Sequence, residues 1–479
     1  MLFNSFYYFL FLGMLLVIYY AVQYRFRNLI LLLASLFFIG YIAPQLIIFT
    51  LLFSVLNYFT GLGLVAIKTK QKRKRLFWFA VYLDIGILAF YKYINFIFEN
   101  INVVLGLFPS QPEIPYLSII IPVGISYYTF QALGYIIRIN RGSEQPEKNF
   151  IKFALYLTFF PKFLAGPVER SNHFFPQLQK PILFNSENLS AGGRLFLWGL
   201  FKKVVIGNNL AAPVMTVYGD VHEYSGFPLL MVFIVQVIHL YCDFSGYTDM
   251  ALGSARLFGI NLADNFNRPF FAKNVGEFWR RWHMSLSSWC NDFIFSPFIV
   301  KYRKMGQKAA IIGIFLTFFV IGIWHGANWT FVVLGILQGI AISYEFYTKR
   351  KRIQIASKLP AKFVTFTSRL ITFVFFCFTL VFFNSQNISD AAYFITHLFS
   401  NFELKMTGHG LVYEKLNFGI ALAAFLVLFI IEYYQEKGVD LAKWFLNRSR
   451  IIRWSGYYLL IIMIYYFSSS DSTFVYLKF

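Results

Sequence analysis

The chain has 479 residues, of which 58% are hydrophobic and only 14% are charged. Soluble domains carry about 25% charged residues, and apolar runs recur along this whole chain, so the composition excludes an ordinary soluble domain and predicts an all-α polytopic membrane protein. The net charge is +21, but the basic residues cluster in short loops between apolar runs, which is the positive-inside pattern. We therefore expect contact with membrane lipid and no nucleic-acid partner, since no basic, aromatic-rich soluble module is present.

The apolar runs predict roughly 10 to 13 membrane helices, several of them shorter than the ~20 residues that a perpendicular span requires. Such short segments are expected to be tilted, re-entrant or buried within the bundle. The candidate spans cover residues 5–22, 29–43, 45–67, 76–98, 117–138, 150–165, 191–214, 227–258, 309–324, 330–347, 365–384, 416–433 and 454–468.

Two basic loops predict the orientation of the chain. Residues 68–75 carry six Lys and Arg, and residues 349–362 carry six more. Short loops rich in Lys and Arg stay in the cytoplasm, which places loops 99–116 and 385–415, both poorer in basic residues, outside. Under this orientation the turn near residue 325 lies toward the outer half of the membrane.

The middle of the chain differs from its ends, because its apolar runs are interrupted by Pro161, Pro167, Pro176 and Pro269. Broken backbone is tolerated at membrane depth only where protein or a water-filled cavity satisfies it. We therefore predict a single membrane-embedded domain over residues 1–479. It comprises N-terminal helices in 1–116, a motif-bearing core in 117–348 around a central tunnel, and C-terminal helices in 349–479.

His325 is the principal candidate for a catalytic residue. It lies in residues 323–329, between two apolar runs, where an ionisable side chain is costly and usually functional. Imidazole accepts and returns a proton near neutral pH. From the residues alone, an intramembrane histidine enzyme and a transporter or channel that uses His325 as a proton relay both remain open.

Residues 277–283 combine aromatic side chains with Arg280, Arg281 and His283. One interpretation is an interfacial helix, with tryptophan at the level of the head groups and arginine reaching phosphates. The other is a donor site. In a continuous helix Arg280 and His283 share a face, because they are three residues apart, while Arg281 points away.

Several acidic residues in apolar segments need partners, since buried carboxylates must be paired or protonated. We favour a structural role for Asp243 and Asp249, with Arg256 as the candidate partner of Asp249. Asp84 lies mid-span and also needs a partner, which the sequence does not identify. The three cysteines have no metal-ligand spacing, so no metal site is expected.

Six motifs in order make the chain similar to the membrane-bound O-acyltransferase family. The resemblance is to its bacterial polysaccharide branch, first the alginate O-acetylation type and next the teichoic acid D-alanylation type. The motifs are residues 122–130, 165–167 with 176–178, 199–203, 243–251, 265–287 and 324–328. The chain departs from the pattern in three places. Residues 290–299 lack the glycine pair of the alginate type, Gln338 stands where many relatives have a histidine, and Arg138 replaces a common aspartate. These departures leave the acceptor polymer open.

The resemblance implies a ring of helices around a thinned centre with a tunnel between the two membrane faces. It implies a multi-pass protein of the bacterial cytoplasmic membrane that moves an acyl group, acetyl first, from a cytoplasmic thioester to an extracellular or periplasmic polysaccharide. The expected donor is acetyl-CoA or another acyl thioester, with no permanently bound cofactor, and the expected partner is an extracytoplasmic acetyltransferase. The alternatives are D-alanyl transfer from a carrier protein and a non-enzymatic transporter subunit.

The same resemblance assigns roles to single residues. His325 is expected to be essential for acyl transfer, and His283 is the second catalytic candidate. From the residue types and their spacing, and not from the resemblance, Arg280 is expected to bind an anionic group of the donor and Asn328 to polarise the reacting carbonyl. Trp324 and Trp282 complete the expected substrate-binding set.

Overall fold

A computed structural model of the protein describes residues 1–108, 113–180, 183–400 and 415–468. No strand occurs in these ranges, so the predicted all-α fold is confirmed. Parts of the two predicted outer loops, residues 109–112 and 401–414, lie outside the described residues. The helices are α1 (Phe6–Ala21), α2 (Arg27–Ile42), α3 (Gln45–Ala66), α4 (Lys70–Leu105), α5 (Ile125–Asn140), α6 (Phe150–Thr158), α7 (Phe160–Phe163), α8 (Ser171–Gln179), α9 (Ser186–Phe201), α10 (Asn208–Gly219), α11 (Phe227–Leu257), α12 (Val275–Trp279), α13 (Met284–Cys290), α14 (Ser296–Lys301), α15 (Gln307–His325), α16 (Trp329–Ala356), α17 (Ala361–Asn384), α18 (Ile388–Thr396), α19 (Lys415–Glu436), α20 (Leu441–Leu446) and α21 (Arg450–Tyr466).

Within the described ranges, eight helical segments are long and apolar enough to cross a membrane, which confirms a multi-pass membrane protein. A helix rises about 1.5 Å per residue, so about 20 residues cross the hydrocarbon core. Other predicted spans form shorter helices, such as the 16-residue α5 and the 9-residue α6. The ring around a tunnel stays a prediction. The eight segments are Tyr24–Ile42, Gln45–Ala66, Lys70–Leu105, Phe227–Leu257, Gln307–His325, Trp329–Ala356, Ala361–Asn384 and Leu416–Glu436.

The chain forms two compact units. The first consists of Met1–Arg194 and Ala251–Ala263, and the second of Leu195–Met250 and Asp264–Phe479. Helices α9 and α11 each contribute residues to both units. All the residues predicted to take part in catalysis or substrate binding belong to the second unit. The single membrane-embedded domain inferred from the sequence stays a prediction.

The core of the first unit is built from aromatic rings on α1, α2 and α7. Phe11 packs edge-on against Phe160 with ring centroids 5.2 Å apart, and the buried Tyr8 hydroxyl bonds to Ser254 at 2.8 Å. Asp84 on α4 accepts a hydrogen bond from Asn57 on α3 at 3.1 Å. The partner of Asp84, which the sequence did not identify, is therefore the side-chain amide of Asn57 on the neighbouring helix.

In the second unit, two lysines neutralise the aspartates of α11. Lys202 lies 2.7 Å from Asp249, and Lys203 bonds to the fully buried Asp243. The structural role expected for both aspartates agrees with these ion pairs. The expected pairing of Asp249 with Arg256 is wrong, because Lys202 takes that place.

The two ion pairs depend on how closely α9 approaches α11. A Cβ atom added to Gly199 would lie 2.5 Å from the carbonyl oxygen of Gly246, and one added to Gly246 would lie 2.7 Å from that of Gly199. Only glycine fits at such a distance. The helical turn Lys202–Gly207 that follows α9 has π geometry and begins with the two lysines. The close packing of α9 on α11 therefore places the ammonium groups of both lysines next to the two aspartates of α11.

Breaking one buried ion pair should destabilise the protein strongly. Asp243→Asn leaves the ammonium of Lys203 buried without its counter-charge, a loss expected to cost about 3–5 kcal/mol. The double variant Asp243→Leu with Lys203→Met should recover most of this loss. Thermal unfolding of the purified protein in detergent measures both, with Asp292→Asn at an exposed position as the control. A normal midpoint for Asp243→Asn would contradict the structural role.

The predicted orientation is testable with single cysteines. Cysteines introduced at the exposed positions Lys72 and Lys358 should react in intact cells only with membrane-permeant thiol reagents. One introduced at Leu107, which is 78% exposed, should react with impermeant reagents. The three native cysteines are buried, so background labelling should be low. Labelling in the opposite sense would reverse the orientation.

Candidate active site

His325 ends helix α15 and lies at the turn of a helical hairpin. The chain leaves helical geometry at Gly326, whose φ is −168° and ψ is 159°, and α16 begins at Trp329. Asn328 caps α16, because its side-chain oxygen accepts the backbone N–H of Thr330 at 3.0 Å. The motif at residues 324–328 is thus a helix end, a short turn and an N-cap.

The hairpin is packed backbone to backbone. A Cβ atom on Gly322 would lie 2.4 Å from the carbonyl oxygen of Phe331, and one on Gly335 would lie 2.5 Å from that of Phe318. No other residue fits at either position without displacing the backbone. This packing fixes the place of His325 relative to α16.

Aromatic rings surround His325, which is only 6% exposed. Its ring centroid lies 5.2 Å from that of Trp324 and 5.4 Å from that of Phe383, in edge-on arrangements. Phe331 lies 6.5 Å away in a stacked arrangement. These three aromatic side chains therefore enclose the imidazole of His325 and shield it from solvent.

His283 is fully buried and has left-handed backbone geometry, with φ of 45° and ψ of 49°. A residue other than glycine held in this region costs of the order of 1–3 kcal/mol and is typical of functional sites. The backbone N–H of Met284 donates to the carbonyl of Asn265 at 2.9 Å, and that of Asn267 donates to the carbonyl of Arg281 at 2.8 Å. These two hydrogen bonds hold the strained turn.

The side chain of Asn265 selects the tautomer of His283. Its amide oxygen lies 3.1 Å from Nδ1 of His283 and accepts both the backbone N–H and the hydroxyl of Ser285, at 3.2 and 2.8 Å. The backbone donor identifies this atom as the oxygen of the amide. Nδ1 of His283 must therefore carry the proton, and Nε2 carries the lone pair.

The indole of Trp324 lies beside both histidines. Its ring centroid is 5.7 Å from that of His283 and 5.2 Å from that of His325. Burial lowers the pKa of His283 well below its usual value, and the nearby His325 lowers it further. Both histidines thus lie beside the same indole, and the lowered pKa of His283 favours its neutral form, while the catalytic role of either histidine stays a prediction.

The expected arrangement of the arginines is wrong. Helix α12 ends at Trp279 and the chain turns before His283, so no continuous helical face joins Arg280 to His283. Arg280 is exposed, whereas His283 is fully buried. The helical expectation failed because α12 ends at Trp279, four residues before His283, whose own backbone is left-handed.

Arg281 belongs to an ion-pair cluster. Its guanidinium donates to both carboxylate oxygens of Glu436 at 2.8 and 2.9 Å, and to Glu277 at 2.7 Å. A bidentate pair of this kind fixes geometry as well as charge. Arg281 therefore joins α12 to the end of α19, while the donor role of Arg280 stays a prediction.

The remaining predicted binding residues are tightly packed or already bonded. Trp282 is 3% exposed, stacks on Phe278 at 5.5 Å and meets Phe376 edge-on at 5.1 Å. The amide nitrogen of Asn328 donates to the carbonyl of Gln386 at 2.7 Å. These contacts position the site, and direct substrate contact by either residue stays a prediction.

Sequence reasoning missed three residues that support the site. Glu345 accepts the backbone N–H groups of Val275 and Gly276 at 2.7 and 3.0 Å, and so caps α12. Gln338 accepts from the indole of Trp279 and donates to Thr379, both at 3.0 Å. Asn265, described above, is the third. Its place at the start of the motif at residues 265–287 was the available signal.

Metal ligands are not grouped in the part of the chain that the structure describes. No three His, Cys, Asp or Glu side chains there lie close enough to hold one ion. The site thus contains two buried imidazoles, an indole that contacts both of them, and amide groups that orient the loop.

Comparison with known proteins identifies the family to which the chain belongs. The family model described as the membrane-bound O-acyltransferase family matches residues 145–389. The chain is 32% identical over 394 residues to a probable alginate O-acetylase from Pseudomonas syringae pv. tomato, covering 82% of this chain and 74% of the relative.

Two further relatives carry different names. A peptidoglycan O-acetyltransferase from Helicobacter pylori is 28% identical over 522 residues, covering 98% of this chain and 94% of the relative. A teichoic acid D-alanyltransferase from Bacillus subtilis is 30% identical over 286 residues, covering 58% of this chain and 72% of the relative. The resemblance seen in the six motifs is confirmed, and the chain belongs to the membrane-bound O-acyltransferase family and is a multi-pass O-acyltransferase.

Proposed function

We propose that the protein moves an acyl group, most simply acetyl, from a thioester donor on the cytoplasmic side to hydroxyl groups of a polysaccharide outside the bacterial cytoplasmic membrane. The observation that carries this proposal is the pair of buried histidines that both lie beside Trp324. An acyl transfer from sulfur to oxygen needs a group that accepts the hydroxyl proton near neutral pH, which an imidazole can do.

In the proposed reaction His325 takes the proton of the acceptor hydroxyl as its oxygen attacks the thioester carbonyl. The new C–O bond forms, the C–S bond breaks, and the proton passes to the thiolate that leaves. General-base help of this kind is worth roughly 10²–10⁴-fold. Alignment of the two substrates in a site that excludes water supplies the remainder.

His283 has a supporting part in this scheme. Its Nδ1–H is held by Asn265, so its Nε2 can share the proton or orient the donor. Its depressed pKa favours the neutral form. Trp324 contacts both imidazoles, with ring centroids 5.7 Å from His283 and 5.2 Å from His325, and so helps to position them.

Acetyl is favoured by the names of the relatives. The alginate and peptidoglycan relatives are both named for O-acetylation and cover most of this chain. In this proposal the donor is acetyl-CoA or another acyl thioester that binds only for the reaction. The acceptor is a cell-envelope or secreted polysaccharide, reached directly or through an extracytoplasmic acetyltransferase.

D-alanyl transfer is the second candidate, because a teichoic acid D-alanyltransferase matches 58% of the chain. Its donor would be a D-alanyl thioester on a carrier protein. Purified protein in vesicles should separate the two when supplied with either acetyl-CoA or the loaded carrier, since only the true donor should be consumed together with an acceptor. A non-enzymatic transporter subunit would consume neither.

Replacing His325 with alanine should abolish acylation while leaving the protein in the membrane. Loss of the general base predicts a fall of at least ~100-fold. Acyl groups on purified polymer and protein abundance in the membrane measure the two effects. His222→Ala, at a side chain that is 54% exposed, is the matched control. Wild-type acylation by the His325 variant would rule out the assigned role.

Replacing the two arginines should have different effects. Arg280→Ala should raise the KM for the donor more than it lowers kcat, because Arg280 is exposed and suited to bind phosphate oxygens. Arg281→Ala should instead lower protein yield and unfolding temperature, since it breaks the bonds to Glu436 and Glu277. Steady-state kinetics per folded molecule tests this, and an unchanged donor KM in Arg280→Ala would end the donor-site assignment.

A further inference from the structure

The first unit contains a cavity of about 240 Å³ that acyl transfer does not use. Its wall is formed by the end of α1, the start of α2, the start of α6 and the end of α8. The membrane-spanning segment Tyr24–Ile42 begins at this wall. The cavity therefore lies at the end of a span, at the level where lipid head groups meet water.

Four cations line the cavity and come from separate parts of the chain: Arg25, Arg27, Lys152 and Lys180. Among the described residues that form its wall, none is acidic. Four like charges around one concave space repel each other and raise the local concentration of anions. An anion held between them would relieve that repulsion.

The wall is also arranged to receive hydrogen-bond acceptors. The guanidinium of Arg27 lies over the rings of Tyr19 and Tyr20, 5.0 and 5.3 Å from their centroids, which restricts its orientation. Helices α2 and α6 both begin at the cavity, and the positive ends of their dipoles add to the charge of the side chains. The amide of Asn28 donates to the carbonyl of Leu178 at 3.3 Å and the side-chain oxygen of Asn149 accepts the backbone N–H of Lys152 at 3.2 Å, so both residues hold the wall in shape.

We propose that this cavity binds the phosphate group of an anionic ligand, and that its first source is the head group of an anionic glycerophospholipid. Arginine and lysine clusters between membrane helices are suited to such head groups. The volume is below the roughly 300–1,000 Å³ of pockets that enclose drug-sized molecules. It therefore has room for a head group, while the acyl chains of the lipid stay in the bilayer.

The test compares two triple variants of the full chain, purified in neutral detergent. The cavity variant is Arg25→Gln with Lys152→Gln and Lys180→Gln, which leaves Arg27 and its contacts in place. The control variant is Lys70→Gln with Lys72→Gln and Lys74→Gln, which removes the same charge from exposed positions at the start of α4. The probes are phosphatidylglycerol, phosphatidylcholine and, as a soluble phosphate source, coenzyme A.

Native mass spectrometry should show that the wild type and the control variant retain phosphatidylglycerol in preference to phosphatidylcholine. The cavity variant should retain a tenth or less of that lipid, because each basic residue near a membrane surface contributes about fivefold to affinity. Loss of coenzyme A binding in the cavity variant, without loss of lipid, would support the phosphate site and assign it to a soluble ligand.

Equal retention of both anionic probes by the cavity and control variants would overturn the proposal. If the cavity variant does not fold, the single change Lys180→Gln at an exposed position replaces it, with about a fivefold loss of phosphatidylglycerol expected. An unchanged affinity in that variant would overturn the proposal equally. Acyl transfer is not measured at any step, so the result is independent of the proposed reaction.

Discussion

One amide oxygen, that of Asn265, holds the second catalytic candidate in place. It accepts from the imidazole of His283 and from two groups of Ser285, and these bonds maintain a left-handed turn that would otherwise be unfavourable. The same oxygen decides which ring nitrogen carries the proton. Because the amide is 1% exposed, no water competes for these bonds. The position and the tautomer of His283 thus both depend on Asn265, whose backbone carbonyl also accepts the N–H of Met284.

The first catalytic candidate is placed by a different means. His325 is located by the backbone of a helical hairpin, in which glycines let α15 and α16 touch. The positions of His283 and His325 therefore do not depend on a flexible side chain that reaches across open space. Glu345 and Gln338 on α16 then bond to α12, so the hairpin also carries the segment that leads to His283. The hairpin that carries His325 and the segment that leads to His283 are therefore joined by hydrogen bonds between α16 and α12.

Much of this arrangement was predictable from the sequence, and the part that was not has physical reasons. Apolar length and basic loops depend only on local composition, so the helical membrane fold and the importance of residues 323–329 could be inferred. The partner of Asp84 is 27 residues away, and that of Asp249 lies on another helix, so tertiary packing alone selects them. The helical face expected for residues 278–283 is absent because α12 ends at Trp279 and His283 has left-handed backbone geometry, which its residue type does not predict.

The π-helical turn Lys202–Gly207 has a consequence for the register of the chain. A π turn accommodates one residue more than an α turn, so it behaves as a single-residue insertion within a helix. Excising that residue would restore regular geometry and rotate everything downstream by about 100°. Helix α10 would then turn a different face toward the interior. Leu210, Val214 and Val217, which are buried, would leave their positions. The irregular turn is therefore a spacer, and a homologous protein without it would need a compensating change in the apolar pattern of α10.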